Sequence, residues 1–197
     1  MDDKVLVVWY SRTGVTAQVA GDIVAALQCQ GEEIVDRKKR VGGWGFFKSC
    51  FHAIFRMGSK IAEPKFNPVD FNLVVVCSPV WAGTMACTVR QWMKVNEGKF
   101  PEVAFVATAG SQKTKTTFKH MAALAGREPA ATLSLIDTAV KAGEYDEKLQ
   151  EFTDKLRETA AGEKTESPGE EPPAEPEPPQ NKEESDKDKL DEAGADA

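Results

Sequence analysis

Val5-Leu6-Val7-Val8-Trp9-Tyr10-Ser11-Arg12-Thr13-Gly14-Val15-Thr16 is the stretch on which the fold turns. Its first six residues are apolar without alternation, the pattern of a strand buried on both faces inside a parallel sheet. From Val15 the period changes, and Val15, Val19, Ile23 and Leu27 fall four apart on one face of a helix. Between strand and helix lie three hydroxyls (Ser11, Thr13, Thr16), a turn at Gly14 and the backbone N–H groups of a helix N-terminus. Such a turn suits a phosphate, because it offers donors at the positive end of a helix dipole. Gly14 removes the Cβ that would keep an anion away from the backbone.

The type of phosphate is narrowed by what the turn lacks. A triphosphate loop needs Gly-x-x-x-x-Gly-Lys-Ser/Thr, and no lysine stands here. A dinucleotide loop needs Gly-x-Gly-x-x-Gly, and only Gly14 is present. A single terminal phosphate ringed by hydroxyls remains.

The chain has 197 residues and a formal net charge of −6. Residues 162–197 hold thirteen acidic residues, four basic residues and six of the eleven prolines, so this segment carries −9 and residues 1–161 carry +3. Such a segment buries too little apolar surface to offset its ordering entropy, and it is expected to be a disordered acidic tail. A solubilising brush is the simplest role for it. Residues 1–161 are long enough for one core and form one expected domain. Cys29, Cys50, Cys77 and Cys87 show no Cys-x-x-Cys spacing and read as small buried hydrophobes in a reducing compartment. No apolar run approaches the ~18 residues of a membrane span. Met1-Asp2-Asp3-Lys4 lacks a basic signal region, so the expectation is a cytoplasmic protein.

Downstream, residues 33–37 are predicted as a second strand, with Gln30-Gly31 stopping the helix before it. The basic run at residues 37–40 reads as a solvated cluster. Residues 44–61 predict an aromatic-rich helix with Phe47, Phe51, Ile54, Met57 and Ile61 on one face. Residues 71–77 are a third, central strand, followed by a loop at residues 78–83, the edge of an α/β sheet where ligands bind. Trp81 in that loop offers a flat face for stacking on a planar ring. A helix with Val89, Trp92 and Met93 buried comes next. A fourth strand at residues 102–107 leads to the small loop 108–111, then a helix at residues 114–125 buries Phe118, Met121 and Ala125. A fifth strand at residues 131–136 and a helix at residues 145–159 complete the pattern. Strands alternating with helices imply a doubly wound parallel sheet with helices on both faces. In the order 2-1-3-4-5, the loops after strands one and three meet at the switch point.

Ser11-x-Thr13-Gly14-x-Thr16 after a first strand resembles the phosphate loop of flavodoxins, and the resemblance extends over about residues 4–160. It implies a flavodoxin-like five-stranded sheet and an FMN cofactor. By that likeness Ser11, Arg12, Thr13, Gly14, Val15 and Thr16 hold the FMN phosphate. Pro79, Val80, Trp81, Ala82 and Gly83 line the isoalloxazine, and Thr108, Ala109 and Gly110 close its other edge. The third loop carries no aromatic, so stacking is one-sided. The implied function is that of an FMN-binding electron-transfer protein. An FMN-dependent NAD(P)H:quinone-type oxidoreductase and a flavin-free interaction domain are the alternatives. The electron source is a redox protein or NAD(P)H, and the chain is expected to be a monomer or weak homo-oligomer.

Other chemistries find less support. A response regulator needs acids at the ends of strands one and three, where this chain has Trp9-Tyr10-Ser11 and Cys77-Ser78-Pro79. His52 and His120 are each alone in helical segments, without metal-site spacing. Scattered basic residues and an acidic tail argue against nucleic acid. No acid–base residue is assigned, since a flavin carries its own chemistry.

Overall fold

A computed structural model of the chain describes residues 2–37, 60–111 and 113–161. Its elements are β1 (Asp2–Trp9), α1 (Val15–Leu27), β2 (Cys29–Glu33), a 3-10 turn (Pro68–Asp70), β3 (Leu73–Trp81), β4 (Thr84–Met85), α2 (Cys87–Val95), β5 (Glu102–Ala109), α3 (Lys115–Ala125), β6 (Ala131–Ile136), α4 (Asp137–Ala142) and α5 (Asp146–Ala161). Five strands pair in parallel in the order β2-β1-β3-β5-β6. This is the doubly wound order read from the sequence, with one addition, the two-residue β4 lying antiparallel on β3.

The unbroken apolar runs explain the layering. Successive side chains of a strand point to opposite faces. Val5 and Val7 of β1, with Leu73, Val75 and Cys77 of β3, join one core with Val19 and Ile23 of α1 and Phe152 and Leu156 of α5. Leu6 and Val8, with Val74 and Val76, join the opposite core with Val89, Trp92 and Met93 of α2 and Met121 of α3. Each fully buried aliphatic side chain stabilises the fold by roughly 1.5–3 kcal/mol, so a charge at any of these strand positions would be severe. β6 alternates instead, burying Ala131, Leu133 and Leu135. It is an edge strand, and the last of the sheet.

Several boundaries differ from the sequence reading. β2 occupies Cys29–Glu33 rather than residues 33–37. The first helix ends one turn sooner than Gln30-Gly31, because Gln28 adopts φ 51° and reverses the chain at once. Gly31 is no breaker: a Cβ there would lie 2.9 Å from Val24 Cγ2 and 3.0 Å from Trp9 Cζ3, so glycine lets the Trp9 ring cover the strand. The buried Glu32 carboxylate accepts backbone N–H groups of Lys65 (2.8 Å) and Phe66 (3.4 Å), which fixes the returning chain against β2. The predicted helix 44–61 lies outside the described residues except at its end. There Ile61 is not helical but forms an antiparallel bridge with Asp36. The basic run beyond Arg37, Cys50, His52 and the segment 162–197 also lie outside the described residues. β5 runs two residues past its expected end. The short α4 was not foreseen, since Asp137–Ala142 spans less than two turns of pattern. Phe118 is only partly buried against its core, and Tyr145 is buried just ahead of α5 rather than within it. Cys29 and Cys77 are buried as expected, whereas Cys87 is half-exposed. Among the described residues, no helix is long and apolar enough to cross a membrane.

Candidate functional site

The switch point lies between β1 and β3, because the chain leaves β1 toward β2 on one side and reaches β3 on the other. Two connections rise from its carboxyl edge: residues 11–14 after β1, and the turn after β3.

The first connection opens onto α1. Gly14 is the N-cap, with φ 88° and ψ −22°, and no side chain caps the helix. A left-handed residue at this place is easily supplied only by glycine. A Cβ on Gly14 would meet nothing within 4 Å, so open space stands before the first turn of the helix. Ser11 Oγ is buried and has no hydrogen-bond partner. Arg12 and Thr13 are exposed. Val15 points into the core instead, 6 % exposed. Thr16 is also buried, and its hydroxyl is hydrogen-bonded to the hydroxyl of Thr108 at 2.8 Å. Of the three loop hydroxyls, Ser11 and Thr13 are therefore the two not engaged in the core. Any contact from Val15 or Thr16 to an anion must come from the backbone N–H.

The second connection is a hairpin rather than a loop. Ser78, Pro79, Val80 and Trp81 continue β3, and Val80 pairs with Met85 and Trp81 with Thr84. Ala82 (φ 51°) and Gly83 (φ 75°) form the two-residue turn. Two positive φ angles in succession define the type I′ geometry, whose twist matches that of antiparallel strands. The sequence predicts an end to the strand at Cys77, and pairing with β4 is what carries it on to Trp81. Three hydrogen bonds hold the hairpin. Ala86 N–H donates to Ser78 Oγ (3.0 Å), Thr117 Oγ1 donates to Gly83 O (3.3 Å), and Arg90 Nη2 donates to Thr84 Oγ1 (2.7 Å).

Tyr10 and Trp81 meet where the two connections converge, edge to face, with ring centroids 5.9 Å apart and planes at 86°. Burial, and next the Asp36 carboxylate, raise the Tyr10 phenol above its ordinary value, so it stays a neutral donor. Burial likewise pushes the Cys77 thiol up, which leaves it unreactive at the end of a core strand. The third connection comes alongside. Thr108 pairs in register with Pro79, and Thr108 and Ala109 are buried at the end of β5, with Gly110 exposed beyond them. The structure thus gathers residues from all three predicted segments at one edge.

Sequence reasoning missed Tyr10, Thr84, Thr117, Arg90 and His120 at this edge. Tyr10 closes the opening strand pattern and faces Trp81 only because β1 and β3 are neighbours. Arg90 and His120 are single polar residues on separate helices, and nothing in their spacing shows that both approach Thr84.

No family model matches the chain, and no curated protein matches it in sequence. Solved structures match in fold. A flavoprotein from Lactobacillus acidophilus, solved in complex with FMN, has a TM-score of 0.61 at 19 % identity, covering 71 % of this chain and 97 % of its own. An NADH:FMN oxidoreductase in its apo form has a TM-score of 0.54 at 12 % identity, covering 82 % of this chain and 92 % of its own. With the strand order above, these likenesses establish a flavodoxin-like α/β fold.

Proposed function

We propose that the chain binds FMN at this edge and serves as a flavodoxin-like electron-transfer protein. The observation that carries the reading is the buried Ser11 hydroxyl without a partner, set before an uncapped helix N-terminus with open space at Gly14. A buried hydroxyl left unpaired is unfavourable, and a phosphate oxygen would satisfy it. The residues fit the group. Ser11 and Thr13 would donate hydroxyls to the phosphate, Arg12 would add positive charge, and the backbone of Gly14, Val15 and Thr16 would donate N–H groups. The hairpin of Pro79, Val80, Trp81, Ala82 and Gly83 would form the wall for the ring, with Thr108, Ala109 and Gly110 on its other edge. When bound, FMN supplies the capacity to accept and release electrons, which no side chain here offers. The chain's task is to hold the ring, exclude water and set its exposure. The likeness to a flavoprotein solved with FMN supports this reading, as does that to an NADH:FMN oxidoreductase.

Titrating FMN with the purified full chain tests it. The expected result is saturable quenching of flavin fluorescence at one FMN per chain. Colourless protein and unchanged flavin fluorescence at micromolar concentrations would overturn the reading.

A further inference from the structure

We propose that Arg90, Thr84 and His120 form an anion subsite beside the hairpin, and that it takes a phosphate group of a reduced nicotinamide dinucleotide. The inference rests on the flavin reading above, to which it adds the electron donor.

Arg90 is the core of the subsite. It is half-buried on α2, and among the described residues no carboxylate pairs with it. Its one side-chain hydrogen bond runs from Nη2 to Thr84 Oγ1 at 2.7 Å, and Nε is buried without an acceptor. A guanidinium presents five N–H groups in a fixed fork, a shape suited to two oxygens of one phosphate. Most of that fork is unengaged here. On the same hydroxyl converges His120 of α3, with Nδ1 3.4 Å from Thr84 Oγ1. Arginine, threonine and histidine from three elements thus meet at β4, the strand that returns from the Trp81 turn.

The surrounding charge is net positive. Residues 71–96 and 103–127, which include the hairpin, α2 and α3, contain six lysines and arginines and no aspartate or glutamate. Of the six, Arg127 is paired to Glu102, and the Asp36 carboxylate stands near Tyr10. Such a field draws anions toward the edge, and the half-buried Arg90 gives one of them a seat. A single half-buried cation backed by a hydroxyl and an imidazole fits one phosphoryl group. A flat acidic protein surface would instead call on the exposed lysines alone. The dinucleotide also accounts for position, because its phosphate at Thr84 lies three residues from Trp81, at the wall proposed for the flavin ring.

The test is equilibrium binding of NADP⁺ and of inorganic pyrophosphate to the full chain, with and without FMN, by titration calorimetry. Both are expected to bind, pyrophosphate competing with NADP⁺. Arg90→Gln is expected to weaken each by about tenfold or more, the scale of a charge-assisted hydrogen bond. Because Arg90 also braces Thr84, a second variant guards the result. His120→Gln changes an exposed helical side chain, leaves the fold intact and is expected to weaken both ligands about threefold. Equal binding by wild type and both variants would overturn the subsite. So would absence of binding to the wild type, or weakening of an acidic redox protein's binding by these variants with NADP⁺ unbound. If FMN fails to bind but pyrophosphate is still lost with Arg90→Gln, the flavin reading falls and the anion subsite stands.

Discussion

The two connections at the switch point are built in opposite ways. In the segment before α1 no side chain caps the helix, Ser11 Oγ has no partner and Gly14 faces open space. The hairpin after β3 uses its groups internally, through Ser78, Thr117 and the pairing of Trp81 with Thr84, and Arg90 spends only one N–H of its fork on it. One is a set of donors held ready, and the other is a finished wall. Specificity for the flavin phosphate should therefore reside in the first, while the second should contribute the shape and stability of the ring's wall.

The harshest way to break that contrast is Gly14→Asp. An aspartate at φ 88° is strained, and its carboxylate would stand in the space before the helix N-terminus. Repulsion of a phosphate there should reduce FMN affinity by about 100-fold or more, equivalent to roughly 3 kcal/mol. Fluorescence quenching measures it, with far-UV circular dichroism checking the fold. Intact affinity would remove the phosphate from this loop.

Thr16→Val probes the seam between the two sides. It leaves the 2 %-exposed Thr108 without its 2.8 Å partner. One buried hydroxyl left unpaired should cost about 1–3 kcal/mol in a urea titration. The double variant Thr16→Val/Thr108→Val should recover most of that loss, since no polar group is then stranded. Because the Thr16 hydroxyl faces Thr108 rather than the open loop, flavin affinity should change far less than with Gly14→Asp. A larger effect on affinity than on stability would mean that this hydroxyl turns outward to the ligand.

The aim of α1 depends on its rear attachment as well. Gln18 Nε2 donates to the Tyr145 hydroxyl at 3.1 Å, and that hydroxyl donates to the Asp22 carboxylate. Burial, followed by the bond to Asp22, pushes the Tyr145 phenol up to about 12. The unfolded value is near 10, so the contribution is complete below pH ~10 and is lost as pH rises through the folded value. Stability of the wild type should fall by up to about 2 kcal/mol over that window relative to Tyr145→Phe, which lacks the titrating group. Parallel denaturant curves for the two proteins would reveal a sloping difference, and a constant one would place the hydroxyl in solvent.

How much of this was legible in sequence follows from the range of each signal. Buried parallel strands declare themselves, because Val5 to Val8 and Leu73 to Val76 must be apolar on both faces. The α1 face declared itself for the same reason, and Val15, Val19, Ile23 and Leu27 are all buried. Edge structure was less visible. Cys29–Glu33 reads as polar because Gln30 is partly exposed and Glu33 exposed on this edge strand, while the buried Glu32 accepts backbone N–H groups of Lys65 and Phe66. Its place is set by pairing with β1. The candidate site was legible as loops but not as partnerships. Ser11 and Trp81 are singled out by type and position. The Thr16–Thr108 bond spans 92 residues, and the Arg90–Thr84–His120 meeting depends on helix packing, which no spacing encodes.

The smallest expected effect concerns the wall itself. Ala82 adopts φ 51° and Gly83 φ 75°, so the turn requires two left-handed residues and only one is glycine. An alanine in that region is strained by roughly 1–2 kcal/mol relative to right-handed backbone. Glycine would relieve the strain but adds freedom to the unfolded chain, which offsets part of the gain. Asparagine tolerates the left-handed region without that freedom, and Asn-Gly is the preferred pair for a type I′ hairpin. Ala82 is exposed, so the larger side chain meets no core. Ala82→Asn should therefore stabilise the protein by about 0.5–1 kcal/mol, or raise the melting midpoint by about 1–4 °C. A drop in the midpoint would show that the hairpin leaves this geometry in solution. The wall would then need a ligand to form, and the contrast between the two connections would disappear.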